Sequence, residues 1–187
     1  MFILYAVVAG LLVGRLTGGR VERLGDIRFR WAGLAFAVVV VQLVLFFPPV
    51  ADALDGARAV AIALYVGSTA MVLGVVIRNI RLTGLPIVAV GACLNLLAIL
   101  ANGGLMPATP EALAAAGLPP ASGFAAGSVV GDPALPWLVD RFALPSWLPL
   151  ANVFSLGDVL IGIGIAVAVA AGMHGRPGRS SAATARR

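Results

Sequence analysis

The residues best suited to chemistry are two carboxylates late in the chain, Asp140 in Val139-Asp140-Arg141-Phe142 and Asp158 at the end of Phe154-Ser155-Leu156-Gly157-Asp158. Two carboxyl groups held together in a low-dielectric site share a proton, so that one acts as base towards a water and the other as acid. That is the chemistry of an aspartyl hydrolase, with Asp140 and Asp158 as its catalytic pair. A second set of polar groups precedes them. Gly91, Asn95, Ala98 and Asn102 recur at i, i+4, i+7 and i+11, which places them on one face of a helix. Gly103-Gly104-Leu105-Met106-Pro107 then breaks that helix. Asn95, Asn102, Gly103, Gly104 and Ser155 are therefore the candidate substrate-binding residues, with Asn102 orienting substrate or backbone.

Each of these positions also has a purely structural explanation. Ser155 with Asp158 three residues later has the spacing of a capping box, and a carboxylate there also suits the helix dipole. Asn95 can hydrogen-bond across to a neighbouring helix, and Asn102-Gly103 can end one. Asp140 can pair with Arg141 or cap a turn. Against capping alone, Asp158 lies one turn into an apolar run, where ionisable groups are costly and usually functional.

Other chemistries lack their parts. The single histidine, His174, falls in the expected cytoplasmic tail, across the membrane from the aspartates, and the single cysteine, Cys93, cannot form a thiolate cluster. Every one of the 13 basic residues is Arg, so no lysine completes a phosphate loop. No metal and no cofactor are expected.

The elements that must position these residues are apolar helices. Of 187 residues 60% are hydrophobic and 11% charged, with a mean hydropathy of +1.03, whereas a soluble domain carries about 25% charged residues. The apolar residues fall in continuous runs, which excludes the alternating pattern of a β-barrel and points to an all-α polytopic membrane protein with one membrane domain. Spans are predicted over residues 1–14, 31–47, 58–77, 84–101 and 153–173. Residues 102–151 form an external Pro/Gly-rich loop held at the interface by Trp137 and Trp147, and residues 174–187 a disordered cytoplasmic tail. The arginines fall on one side of these spans except Arg58 and Arg141, which puts the N-terminus out and the C-terminus in. That distribution also accounts for the net charge of +5 without nucleic acid. Gln42 should face another helix, Thr83 can cap the fourth span with Pro86 in its first turn, and Gly67, Ser68, Ala70, Met71 and Gly74 offer a small-residue packing face. Gly157, Gly162 and Gly164 offer another.

Asn-Gly-Gly-Leu-Met-Pro at 102–107, together with Phe-Ser-x-Gly-Asp at 154–158 and an Asp in the preceding loop, resembles a family of small bacterial membrane proteins of unknown function. That resemblance implies about five helices and no particular activity. The order Val-Asp-x-Phe and then Phe-Ser-x-Gly-Asp is similar, more locally, to lipoprotein signal peptidase, an intramembrane aspartyl protease. Ser155 and Gly157 stand where that pattern has Asn and Ala, and the Asn-Gly segment follows the fourth predicted helix rather than the first. What this second resemblance implies is catalysis by Asp140 and Asp158 on a lipidated or membrane-bound substrate.

The chain is thus expected to be a multi-pass protein of the bacterial inner (plasma) membrane whose partners are membrane lipid and such a substrate. The alternative is a non-catalytic small transporter, lipid-binding or membrane-complex assembly protein. In a third reading the polar groups are only caps and helix glue.

Overall fold

The fold was analysed in a computed structural model, which describes residues 2–120 and 131–175. Five long helices follow the five apolar runs: α1 (Phe2–Leu16), α2 (Ala32–Leu45), α4 (Arg58–Arg78), α5 (Leu85–Ala101) and α7 (Leu156–His174). A short helix α3 (Pro48–Ala53) follows α2, and a 3-10 turn, Val21–Asp26, follows α1. Two of the helices, α4 with 21 residues and α7 with 19, are long and apolar enough to cross a membrane. The others are apolar but shorter, and large side chains on their outer faces are bare, such as Leu12, Phe36, Leu43 and Leu100. A water-facing surface would bury such groups, and hydrocarbon has no reason to.

Helix α7 is the axis of the bundle, with α1 on one side and α5 on the other. Small residues make both seams. Gly91 of α5 lies against the Gly157 carbonyl and Ile161 of α7, and a side chain at either glycine would collide with the facing backbone. Gly10 and Gly14 of α1 lie in the same way against Ala166, Val169 and Met173. Backbones that approach this closely gain dispersion contacts along their whole length, which is the driving force left when no water is expelled. On the far side of α5, α4 packs and α2 packs on α4, joined by Gln42, whose amide donates to Ser68 and Thr69 at 3.2 and 3.3 Å.

The helices alternate in direction. Phe2 meets Phe154 at one end of the bundle, and Thr17 meets His174 at the other. The second end carries the exposed arginines Arg15, Arg20, Arg23, Arg28, Arg30, Arg78 and Arg81. There the 3-10 turn lays Leu24 and Ile27 on Gly172, and the Arg23 guanidinium donates to the His174 carbonyl at 2.8 Å.

Three local expectations are corrected. The N-cap of α5 is Gly84 in the left-handed region, and Thr83 makes no cap. Gly67 and Gly74 of α4 face open space, and the buried small residue of that face is Ser68. The segment 102–151 is more than a loop. It contains α6 (Pro110–Ala116), with Thr109 as N-cap and Gly117 as left-handed C-cap, and β1 (Phe142–Leu144), which pairs antiparallel with β2 (Asn152–Phe154) just beyond it, Phe142 opposite Phe154. The predicted tail lies outside the described residues beyond Gly175.

Candidate functional site

The polar groups collect at the end of the bundle away from the arginines, where α7 begins. Its first turn is closed by a capping box: the Asp158 N–H donates to Ser155 Oγ at 3.0 Å and the Ser155 N–H to Asp158 Oδ2 at 3.0 Å. Asn95 of α5 enters the same turn, its Nδ2 donating to Asp158 Oδ1 at 2.9 Å. The Ser155 hydroxyl lies 2.7 Å from Asn95 Oδ1 and 2.9 Å from Asp158 Oδ2. It has one proton, so it donates to one of the two at a time. Ser155 is wholly buried. Gly157 belongs to the same joint, because a Cβ there would overlap the Asn95 amide. Phe154 anchors the approach to α7 by stacking between Phe2 at 4.5 Å and Phe142 at 5.6 Å.

Asp140 reaches this place by a different route. After α5 the chain reverses through Gly103 and Gly104, both left-handed with φ 67° and 87°, a conformation open to glycine at no steric cost. Gly104 is pressed against Ile62 of α4, and Leu105 joins a buried cluster with Leu45 and Ala61 that Phe46, Ile62 and Tyr65 cover. The strand-like segment that follows is where Asp140 docks: its N–H donates to the Pro107 carbonyl at 2.9 Å, and its carbonyl accepts from the Thr109 N–H at 2.9 Å. A parallel bridge pairs Asp140 with Ala108. The first half of this loop is fastened by Asn102, whose amide donates to the Ala134 carbonyl at 2.9 Å and accepts from the Ala134 N–H at 2.8 Å, while also donating to Ala98.

Asp140 is held by its backbone, but its carboxyl is not satisfied. Oδ1 is buried and has no hydrogen-bond partner. No ion pair joins it to Arg141, whose guanidinium lies exposed, 6.0 Å from the Phe142 ring centroid. Burial, with the Asp158 charge as a second cause, pushes the Asp140 carboxyl up to about 8 from the ordinary 3.8. The Asp140 carboxyl thus lies within electrostatic reach of Asp158, and the Tyr65 hydroxyl of α4 within reach of both.

Of the residues singled out in the sequence, Asn95, Ser155 and Asp158 form one hydrogen-bonded cluster, and Asp140 is coupled to it electrostatically. Gly103 and Gly104 shape the segment on which Asp140 docks. Asn102 binds the loop backbone rather than a carboxylate. Tyr65 is the residue that sequence reasoning missed. Its signal was available, since Tyr65, Ser68 and Thr69 fall at i, i+3 and i+4 on an otherwise apolar helix.

Beside Asp140 the surface opens into a recess of about 500 Å³ lined by Thr109, Glu111, Pro136, Trp137 and Arg141. Among the described residues no group of three or more His, Cys, Asp or Glu side chains is placed to hold a metal ion.

No curated protein and no solved structure matches the chain. A family model does match, over residues 26–170, a stretch that takes in both aspartates, the Asn-Gly-Gly turn and the head of α7, and the chain thus belongs to the DUF5317 family, a family of unknown function.

Proposed function

We propose that this is a five-span protein of the bacterial inner membrane, N-terminus out, whose outer end is an aspartyl acid–base site for hydrolysis of a lipidated or membrane-bound substrate. The observation that carries the reading is the buried, unpartnered Oδ1 of Asp140, coupled to a second carboxyl. A buried polar atom without a partner costs about 1–3 kcal/mol. A fold that keeps one within electrostatic reach of a second carboxyl is paying for something other than stability.

The division of labour follows from the surroundings. Asp158 accepts from the Asn95 amide and the Ser155 N–H, which fix its oxygens as acceptors. Asp140 is neutral at pH 7, because burial holds its proton on up to about 8. A water between them loses a proton to Asp158 as its oxygen bonds to an acyl carbon of the substrate, while Asp140 gives its proton to the carbonyl oxygen. The tetrahedral adduct then collapses: the bond to the leaving group breaks, the leaving group takes the proton from Asp158, and the hydroxyl returns one to Asp140. Both residues end as they began.

One observation favours a second reading. Both oxygens of Asp158 are already engaged by Asn95 and Ser155, as in a joint that only ties α7 to α5. The protein would then be a small transporter, lipid-binding or assembly protein, and Asp140 alone would take up a proton. To separate the two, the purified protein in lipid nanodiscs is offered phospholipids and lipopeptides, and products are read by mass spectrometry. The hydrolase reading expects wild-type products that disappear in both Asp140→Asn and Asp158→Asn proteins of normal fold. Undiminished turnover by a folded Asp140→Asn protein, or no product from the wild type on any of these substrates, would leave the second reading in place.

A further inference from the structure

We infer that the recess beside Asp140 seats a zwitterionic phospholipid headgroup, a phosphate bearing a primary ammonium, as in phosphatidylethanolamine. Its walls carry one group of each charge: Arg141 and, in the first turn of α6, Glu111. Neither is in an ion pair with the other or with any described residue. Arginine offers a planar fork of donors that matches phosphate oxygens. A carboxylate receives a primary ammonium through charge-assisted hydrogen bonds that a quaternary ammonium has no proton to make.

The rest of the lining fits the same occupant. Thr109 adds a hydroxyl, and Trp137, two-thirds exposed, adds an amphipathic ring of the kind that settles at headgroup level. Trp147, at 78% exposed, is a second such ring on the same segment between α6 and α7. A volume of about 500 Å³ accommodates a headgroup with its glycerol and leaves the acyl chains outside, where the bare apolar faces of the helices lie. Thr109 and Arg141 of its wall flank the Asp140 backbone, which accepts from the Thr109 N–H, so a lipid seated here lies on the segment that carries Asp140.

As a binding site the recess stands without the aspartates. As the source of a substrate class, an ethanolamine-bearing glycerophospholipid, it rests on the hydrolase reading. The test keeps the two apart. Full-length protein in detergent is titrated with short-chain phosphatidylethanolamine, phosphatidylcholine and phosphatidylglycerol, and retained lipid is counted by native mass spectrometry. Phosphatidylethanolamine is expected to bind about tenfold more tightly than the other two, a difference of about 1.4 kcal/mol. Arg141→Gln should abolish that binding and Arg141→Lys should keep part of it. Glu111→Gln should remove the preference over phosphatidylglycerol while the protein still binds phosphate. Asp140→Asn and Asp158→Asn should bind lipid as the wild type does. Equal retention of the three lipids, or ethanolamine lipid held undiminished by folded Arg141→Gln protein, overturns the inference and leaves the hydrolase reading standing. Selective binding of a lipid that is never cleaved supports the recess and counts against the hydrolase.

Discussion

The two ends of the bundle each bury a polar side chain in apolar surroundings, and they treat it in opposite ways. At the arginine end Asn79 is 5% exposed, and both its amide nitrogen and its oxygen are engaged. It accepts from the Arg30 N–H at 2.7 Å and donates to the carbonyls of Arg30 and Val75 at 2.8 Å. At the other end Asp140 Oδ1 has nothing. Buried polar groups in folded proteins are nearly always paired, because the desolvation penalty is otherwise uncompensated. A paired amide that ties the segment before α2 to the end of α4 is scaffold. The unpaired oxygen of Asp140 is where the fold forgoes stability, so function is to be sought there. The charges around each end differ in the same sense. The arginines are exposed, whereas the carboxyl oxygen of Asp140 is held inside.

Substitutions at these two places should give opposite results. Asp140→Asn should lower any hydrolytic turnover by about 10²–10⁴-fold, the range for loss of a general acid or base, while thermal unfolding in detergent at pH 7 stays near wild type. The substitution keeps the shape of the neutral carboxyl and breaks no hydrogen bond at Oδ1. Asn79→Ala should do the reverse. It strands the Arg30 N–H and two carbonyls, and should cost about 2–3 kcal/mol of stability with turnover per folded molecule unchanged. An Asp140→Asn protein that unfolds as easily as Asn79→Ala would place both residues in the scaffold. Asp158→Asn falls between them. An amide N–H₂ would face the donors of Ser155 and Asn95, so both turnover and about 1–3 kcal/mol of stability should be lost.

This contrast was legible in the residues only in part. The five apolar runs and the Ser155–Asp158 cap are local patterns, and the helices that form on those runs start and stop within three residues of the predicted limits. Local pattern was also enough for α6, where Thr109-Pro110 opens a run that Gly117 closes. It was obscured by the Pro and Gly around it, which read as breaks. Asn79 could not have been found, because its partner is 49 residues away and its own neighbourhood looks like a turn. The misreading of Gly67 and Gly74 has the same origin. Small residues on α4 are a necessary condition for close packing, but which face meets a neighbour is set by the other helices. For the candidate site the residue types were visible. The coupling of Asp140 to Asp158 was not, since it depends on the loop docking at Pro107 and Thr109.

A pH series sharpens the comparison with a smaller signal. The folded-state carboxyl of Asp140 holds its proton up to about 8, against 3.8 in its ordinary state. Between those limits the folded protein keeps a proton that the unfolded chain has lost, so its stability falls as the pH rises through that window and levels off above it. The contribution of the neutral form is complete below about 3.8 and disappears as the pH rises through about 8. The unfolding temperature of the wild type should drop between pH 6 and 9, and Asp140→Asn, which has no proton to lose, should flatten that slope. An unchanged slope in the variant would mean that another group titrates.

The smallest effect is expected at the arginine end. Arg20 and Glu22 lie 3.8 Å apart with side chains 68% and 80% exposed, so water and salt screen the pair and side-chain entropy opposes it. Glu22→Gln should change stability by less than about 0.5 kcal/mol, at low and at high salt alike. The comparison of the two ends depends on this being so. If Glu22→Gln were to destabilise the protein by more than about 1 kcal/mol in a salt-dependent way, charges at that end would be structural too. A lone strained carboxyl would then no longer distinguish the Asp140 end. An effect within the expected range leaves Asp140 as the place where the chain holds a titratable group against its own stability.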